Sequence, residues 1–152
     1  SMSLYLRRLR EKIGHDLLVL PSVTVLLFDA DRRVLLARHS DANVWVAPGV
    51  MVEPDETPQA AACREAREEI GCEVALRRIV GVYGGAEFLV RYRNGDEVSD
   101  VMTMFEAAIV SGTLQPDHAE ILELRYFTYA ETQALSCAQW LPVVLADVYG
   151  PP

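Results

Sequence analysis

Apolar residues at Leu4, Leu6, Leu9 and Ile13 recur at helical spacing. This predicts a short amphipathic helix over Ser3 to Ile13, with Ser3 as N-cap and Gly14 as its stop. From Leu17 to Asp29 the chain is rich in Val and Leu, the pattern of a buried strand. Asp29-Ala30-Asp31 then turns into a second strand, Val34 to Ala37. His39 to Asn43 reads as a loop, and Pro48-Gly49 breaks the backbone again. After Thr57 helical spacing returns. Thr57 can cap that helix, Pro58 suits its first position, and Gly71 stands where it should end. Strand patterns follow over Glu73 to Tyr83 and Ala86 to Arg93. Asn94-Gly95 is a hairpin turn leading into Glu97 to Val110. Gly112 to Glu120 is a polar loop, Leu122 to Thr128 another strand, and two short helices close the chain after Ala130. No internal repeat, low-complexity tract or linker interrupts this order. Strands crowd the middle and helices are few, which predicts a compact α/β or α+β sandwich.

Composition narrows the picture. The 152 residues suit one domain, and 51% hydrophobic against 24% charged residues is globular composition. No apolar run approaches the roughly 20 residues of a membrane helix, and no basic-then-apolar signal opens the chain. Ser1 ahead of Met2 reads as a cleavage scar. Cys63, Cys72 and Cys137 form no metal-spaced pair, and an odd count suits reduced thiols, so a cytoplasmic location is expected. The net charge of −8 argues against a nucleic-acid polymer as partner, and with no membrane-length apolar run no membrane partner is expected. A small phosphorylated substrate is compatible with it, provided carboxylates gather cations that offset the repulsion.

Such carboxylates stand on the helix after Thr57. With Glu65 at zero on a helical wheel of about 100° per residue, Glu68 falls near −60° and Glu69 near +40°. Ala62, Cys63, Ala66 and Ile70 form an apolar stripe beside that arc. A solvated acidic face would give the same pattern. Against it, acids at this spacing repel one another, and the macrodipole disfavours Glu68 and Glu69 near the helix end. On spacing alone the two readings stay level.

The surrounding sequence separates them. Gly49-Val50-Met51-Val52-Glu53-Pro54-Asp55-Glu56, followed by Arg64-Glu65-Ala66-Arg67-Glu68-Glu69-Ile70-Gly71-Cys72, resembles the Nudix box. That pattern runs glycine, five residues, Glu, seven residues, then Arg-Glu-apolar-x-Glu-Glu-x-Gly-apolar. Glu56, Arg64, Glu65, Glu68, Glu69 and Gly71 are all in register. The resemblance extends from Val34-Leu35-Leu36 to Tyr126-Phe127. It implies one Nudix domain over 2–150, with the helix over 2–14 outside the family core. The expected fold is an α/β/α sandwich with a mixed β-sheet and a metal-binding helix after the box loop. By the same resemblance Glu68 and Glu69 would be the main ligands of a divalent ion, with the Gly49 carbonyl as a further oxygen. Glu65 would bind metal too or act as general base, and Arg64 and Glu56 would pair to hold the loop over the helix. Glu120 is the first choice for a later acid completing the site, ahead of Asp117 and Glu123.

Hard carboxylate oxygens suit Mg²⁺ or Mn²⁺, which would assist water attack on a diphosphate linkage of a small nucleotide-like substrate. Two substrate types compete: a nucleoside diphosphate linked to another moiety, and a nucleoside triphosphate. No proline lies between Pro58 and Pro116, and the proline expected downstream of the box in many ADP-ribose hydrolases is missing. Two positions depart from the pattern. Val50 stands at its first glycine and Asp55 at a second, and a β-branched residue would be strained if φ were positive there. Val50 therefore supports a rival, a non-catalytic nucleotide-binding or regulatory module. The expectation here is a loop in which Val50 keeps ordinary extended backbone. Among aromatics that could stack on a base, Trp45, just before the box, leads Tyr83, Phe88 and Tyr92, although core packing is the commoner use. Arg91 and Arg93 alternate on one strand face and could meet phosphate. His15, His39 and His118 have no ligand spacing, Cys63 and Cys72 read as small buried residues, and a homodimer is left open.

Overall fold

The computed structural model describes residues 3–41 and 43–150. Residues 1 and 2, read above as a scar and the first residue of the domain, lie outside the described residues, as does Ala42. The first helix, α1 (Leu4–Ile13), has Ser3 Oγ accepting the Leu6 N–H at 3.1 Å and stops at Gly14, where φ is 64°. The strands are β1 (Leu18–Leu27), β2 (Val34–His39), β3 (Trp45–Val46), β4 (Gly49–Met51), β5 (Cys72–Tyr83), β6 (Leu89–Arg91), β7 (Glu97–Gly112) and β8 (Ile121–Phe127). Helix α2 (Pro58–Glu65) runs into a π turn over Ala66–Ile70, and α3 (Tyr129–Thr132) and α4 (Leu141–Tyr149) follow β8. Ala86–Phe88, expected as strand, is a 3₁₀ turn closed by Phe88 N–H on the Gly85 carbonyl. Gly85, at φ 97°, bends the chain there, so Phe88 drops into the core.

Among the described residues the strands form two sheets. One is mixed, ordered β4-β1-β7-β5 with β6 also on β7, and β1 and β7 are its parallel pair. The other is antiparallel, ordered β3-β2-β8. Strand alternation divides the core in two. Leu26, Met102 and Met104 face Trp45, Phe127 and the α4 residues Leu141, Val144 and Leu145. Val23, Val25, Phe105 and Ala107 face Ala61 and Ala62 of α2 and Ala66 and Ile70 of the π turn. The sheets thus lie between α2 on one side and α4 on the other, the expected sandwich. Both groups bury residues to near-zero exposure, and apolar burial at ~25 cal/mol per Å² is the main force holding the layers together.

Candidate active site

The acid-bearing segment is fixed at both ends. Thr57 Oγ1 accepts the Ala60 N–H at 3.1 Å, and Pro58 occupies the first turn, where its missing N–H costs nothing. Gly71 ends it in the left-handed region (φ 75°, ψ 20°), and its N–H reaches back to the Ala66 carbonyl. Ala61, Ala62, Ala66 and Ile70 are buried against the sheet, while Cys63 is half-buried.

The three carboxylates do not share one level arc, as the wheel suggested. The π turn widens the helix at Ala66, so the regular 100° step fails across the motif. Glu65 is 1% exposed, Glu69 half-buried and Glu68 exposed. Both Glu65 oxygens are buried without a hydrogen-bond partner. Burial pushes its carboxyl up to about 11, helped by the adjoining Glu69 and then Glu68, with Arg64 opposing. A buried acid without donors is a group that waits for a proton or a cation.

Arg64 ties the segment to the loop before it. Its Nε donates to Glu56 Oε2 at 2.8 Å and Nη2 to Glu56 Oε1 at 2.9 Å, a two-pronged pair. Nη2 also reaches the Met51 carbonyl at 3.2 Å, and Nη1 reaches Glu68 Oε2 at 3.3 Å. Glu56 in turn accepts the Glu53 N–H at 3.1 Å, so one guanidinium fastens β4, the turn and the helix together. The Arg64 hydrogen bond holds the Glu56 carboxyl below its usual range.

Strand β4 lies antiparallel on β1, with Gly49 opposite Thr24 and Val50 opposite Val23. Val50 therefore has ordinary strand backbone; the non-glycine residues with positive φ among the described residues are Arg32, Asn43 and His118. Gly49 is required for a different reason. A Cβ there would meet Thr24 Oγ1 at 2.8 Å and the Val23 carbonyl at 2.9 Å, so only glycine lets the strands close up.

A cleft of about 750 Å³ opens beside this segment, within the range of small-molecule sites. Gly49, Val50, Met51, Glu69 and Glu120 line it together with Leu6 and Arg10 of α1, Asp96 and Asp100, and the strand register sets Gly49 level with Thr24 but Asp100 level with Leu20. Glu68 turns toward Arg64 instead. Glu120 is brought to the cleft by the Asp117 carboxylate, whose Oδ1 accepts the N–H groups of Ala119, Glu120 and Ile121. That occupation, and the Glu123 pairs with Arg38 and Arg125, commit the two other late acids elsewhere. Trp45 is not on the cleft. It is 9% exposed in the core, edge-on to Phe127, and Trp140 and Tyr92 line the cleft instead. Arg91 lines it but is ion-paired with Glu97 at 3.0 Å. Sequence reasoning missed Trp140, Leu6, Arg10 and Asp100; only Asp100 left a sequence signal, a lone acid between Val98 and Met102 on an inward strand row.

The donor set fits a hard divalent ion as a partial cage. Among the described residues no three acids, histidines or cysteines form a complete one. Glu69 lines the cleft with Glu120, Glu65 is buried beside Glu69, and ions such as Mg²⁺ commonly take their other ligands from water and phosphate.

The fold and the box segment define the class: the chain belongs to the NUDIX domain family, whose sequence model matches residues 18–148. It is 29% identical over 102 residues to a putative 8-oxo-dGTP diphosphatase of Bacillus subtilis (strain 168), covering 67% of this chain and 62% of that protein. It is 42% identical over 57 residues to the RNA pyrophosphohydrolase of Gluconobacter oxydans (strain 621H), covering 36% and 34%. The matched stretches therefore span less than two thirds of these relatives. The solved MutT protein from Methanosarcina mazei Go1 shares the fold, with a TM-score of 0.68 at 20% identity over 83% of this chain and 89% of that one. No helix among the described residues is long and apolar enough to cross a membrane.

Proposed function

We propose that the chain is a hydrolase that cleaves a phosphoanhydride bond of a small nucleotide, a nucleoside triphosphate or a nucleoside diphosphate linked to another moiety, with Mg²⁺ or Mn²⁺ as cofactor. The observation that carries this is the Glu65 carboxylate, buried behind the cleft with neither oxygen satisfied and the Glu69 acid beside it. A purely structural residue at that position would bring a partner with it. Glu68 and Glu69, with Glu65 and the later acid Glu120, would hold the ion, and the Gly49 carbonyl would add a further oxygen; Gly49, Glu69 and Glu120 line the cleft. When bound, the ion would neutralise phosphate charge and lower the pKa of water. Burial keeps the Glu65 carboxyl protonated on its own, so it would take a proton from the attacking water only once a bound cation has drawn it into the ionised form. Arg64 and Glu56 hold the loop that carries Gly49 and Met51 against the helix.

The rival reading, a non-catalytic module, drew on strain at Val50. Its strand backbone removes that argument. The test is a screen of nucleoside triphosphates, sugar nucleotides, dinucleotides and ADP-ribose with Mg²⁺, reading phosphate-bearing products. At least one class should be cleaved at an anhydride and none in EDTA. A folded protein that cleaves none of them would overturn the reading.

A further inference from the structure

The end of the cleft away from the carboxylate helix holds an acid that the reaction above does not use. Asp100 is 7% exposed and Ser22 is 6% exposed. They belong to the inward rows of the parallel pair, Leu20, Ser22 and Thr24 on β1 and Val98, Asp100 and Met102 on β7, all lining the cleft. Leu20 stands opposite Asp100, and Ser22 opposite Met102. The Thr24 hydroxyl is occupied by Met102 Sδ at 3.1 Å, whereas Ser22 Oγ makes no hydrogen bond.

Asp96, nearby in sequence, shows how a structural acid looks in this fold. Its carboxylate pairs with His15 and accepts from the Asn94 amide, its backbone N–H donates to Asn94 Oδ1, and Arg10 Nε stands 3.6 Å away. Asp100 has none of this: among the described residues no backbone N–H and no cation reaches it. Burial pushes its carboxyl up to about 6, and the neighbouring Ser22 hydroxyl pulls it back, short of a well-formed bond. At neutral pH it is therefore an ionised, acceptor-only group in an apolar floor, a costly arrangement without a ligand. Tyr92 shares this end of the cleft; burial raises its phenol first, and the Asp100 charge next.

Gly49 is level with Thr24 and Asp100 with Leu20, four residues further along β1. Along β1 that is about 13 Å at ~3.3 Å per residue. Because β4 and β7 flank β1 on opposite sides, about 10 Å apart, the two positions lie roughly 16 Å from each other, the reach of an extended nucleoside with its phosphates. We propose that Asp100 is the specificity residue of this site, its carboxylate accepting two adjacent N–H donors on the edge of a guanine-type base. The assignment rests on the nucleotide reading above. A sugar diol also offers paired donors, but Leu20, Val98 and Met102 around the acid suit a flat apolar ring. An ionised carboxylate also rejects a base edge that presents an acceptor.

The experiment is calorimetric binding of GMP, IMP, AMP and UDP-glucose to the full chain, in wild type and Asp100→Asn, beside hydrolysis of the corresponding triphosphates. IMP lacks one of the two donors and AMP places an acceptor on the edge. GMP should bind about 10- to 100-fold tighter than AMP and about 10-fold tighter than IMP, and Asp100→Asn should remove the preference with circular dichroism unchanged. Equal affinities for the three purines, or a guanine preference that survives in Asp100→Asn, overturns the proposal. So does a preference for UDP-glucose that the variant removes, which makes Asp100 a reader of diols. If Asp100→Asn does not fold, the wild-type series decides alone. Hydrolysis without base preference sinks this inference and spares the phosphoanhydride reading; guanine-dependent binding without hydrolysis does the reverse.

Discussion

Asp100 has a consequence for stability that does not depend on any ligand. Its carboxyl titrates at about 6 in the fold against 3.8 for the unfolded chain, so between those values the folded state binds the extra proton. Stability contributed by this group therefore falls as pH rises from about 4 to 6, and the whole penalty, at most about 3 kcal/mol, persists above 6. Asp100→Asn should raise the melting temperature at pH 8 and leave it unchanged near pH 4. An equal effect at both pH values would show that the group is not buried in its charged form. Gly49 is the second residue whose identity is dictated by space. Gly49→Ala puts a methyl group 2.9 Å from a main-chain carbonyl on β1, and a cost of about 1–3 kcal/mol in denaturant unfolding is expected. The sequence flagged Gly49 as part of a motif, but the crowding that requires it arises only once β4 is laid on β1.

At the scale of elements, α2 and its π turn show where a sequence pattern stops being sufficient. The cap, the N1 proline, the terminal glycine and the apolar stripe were all legible, because each is a local preference written at a fixed offset. The relative depth of the three acids was not. A wheel assumes a constant step, and the π turn at Ala66–Ile70 changes it inside the motif, sinking Glu65 while Glu68 turns out to Arg64. Arg64 carries the element's connection to the loop. Arg64→Ala leaves Glu56 half-buried without its partner and releases the Met51 carbonyl, so chemical denaturation should show a loss of about 1–3 kcal/mol together with lower activity. Unchanged stability with lost turnover would assign Arg64 to the substrate instead. Val50→Gly should cost stability, about 1 kcal/mol, and should not raise activity, because Val50 is a paired strand residue packed on the α2 side of the core. A more stable or more active glycine variant would contradict the strand assignment.

At the scale of the molecule, the cleft is assembled from parts that are remote in the chain: α1, β1, β4, β6, β7, the segment after α2 and the loop ahead of β8. Strand order and register create it, and a reading of local patterns does not contain them. That is why the box acids were found from sequence and the cleft's far wall was not. It is also why Trp45, adjacent to the box in sequence, sits in the core while Trp140 reaches the cleft. The proposed division of labour, phosphate chemistry at Glu69 and recognition at Asp100, depends first on the carboxylate end being catalytic. The most direct measurement is kcat for anhydride cleavage against Mg²⁺ concentration, for wild type and Glu69→Gln, on whichever nucleotide the screen identifies. Wild-type activity should saturate with Mg²⁺ and vanish in EDTA, and Glu69→Gln should lose about 100-fold or more with its melting temperature intact. Cleavage that persists in EDTA, or a Gln variant as active as wild type, would contradict the account.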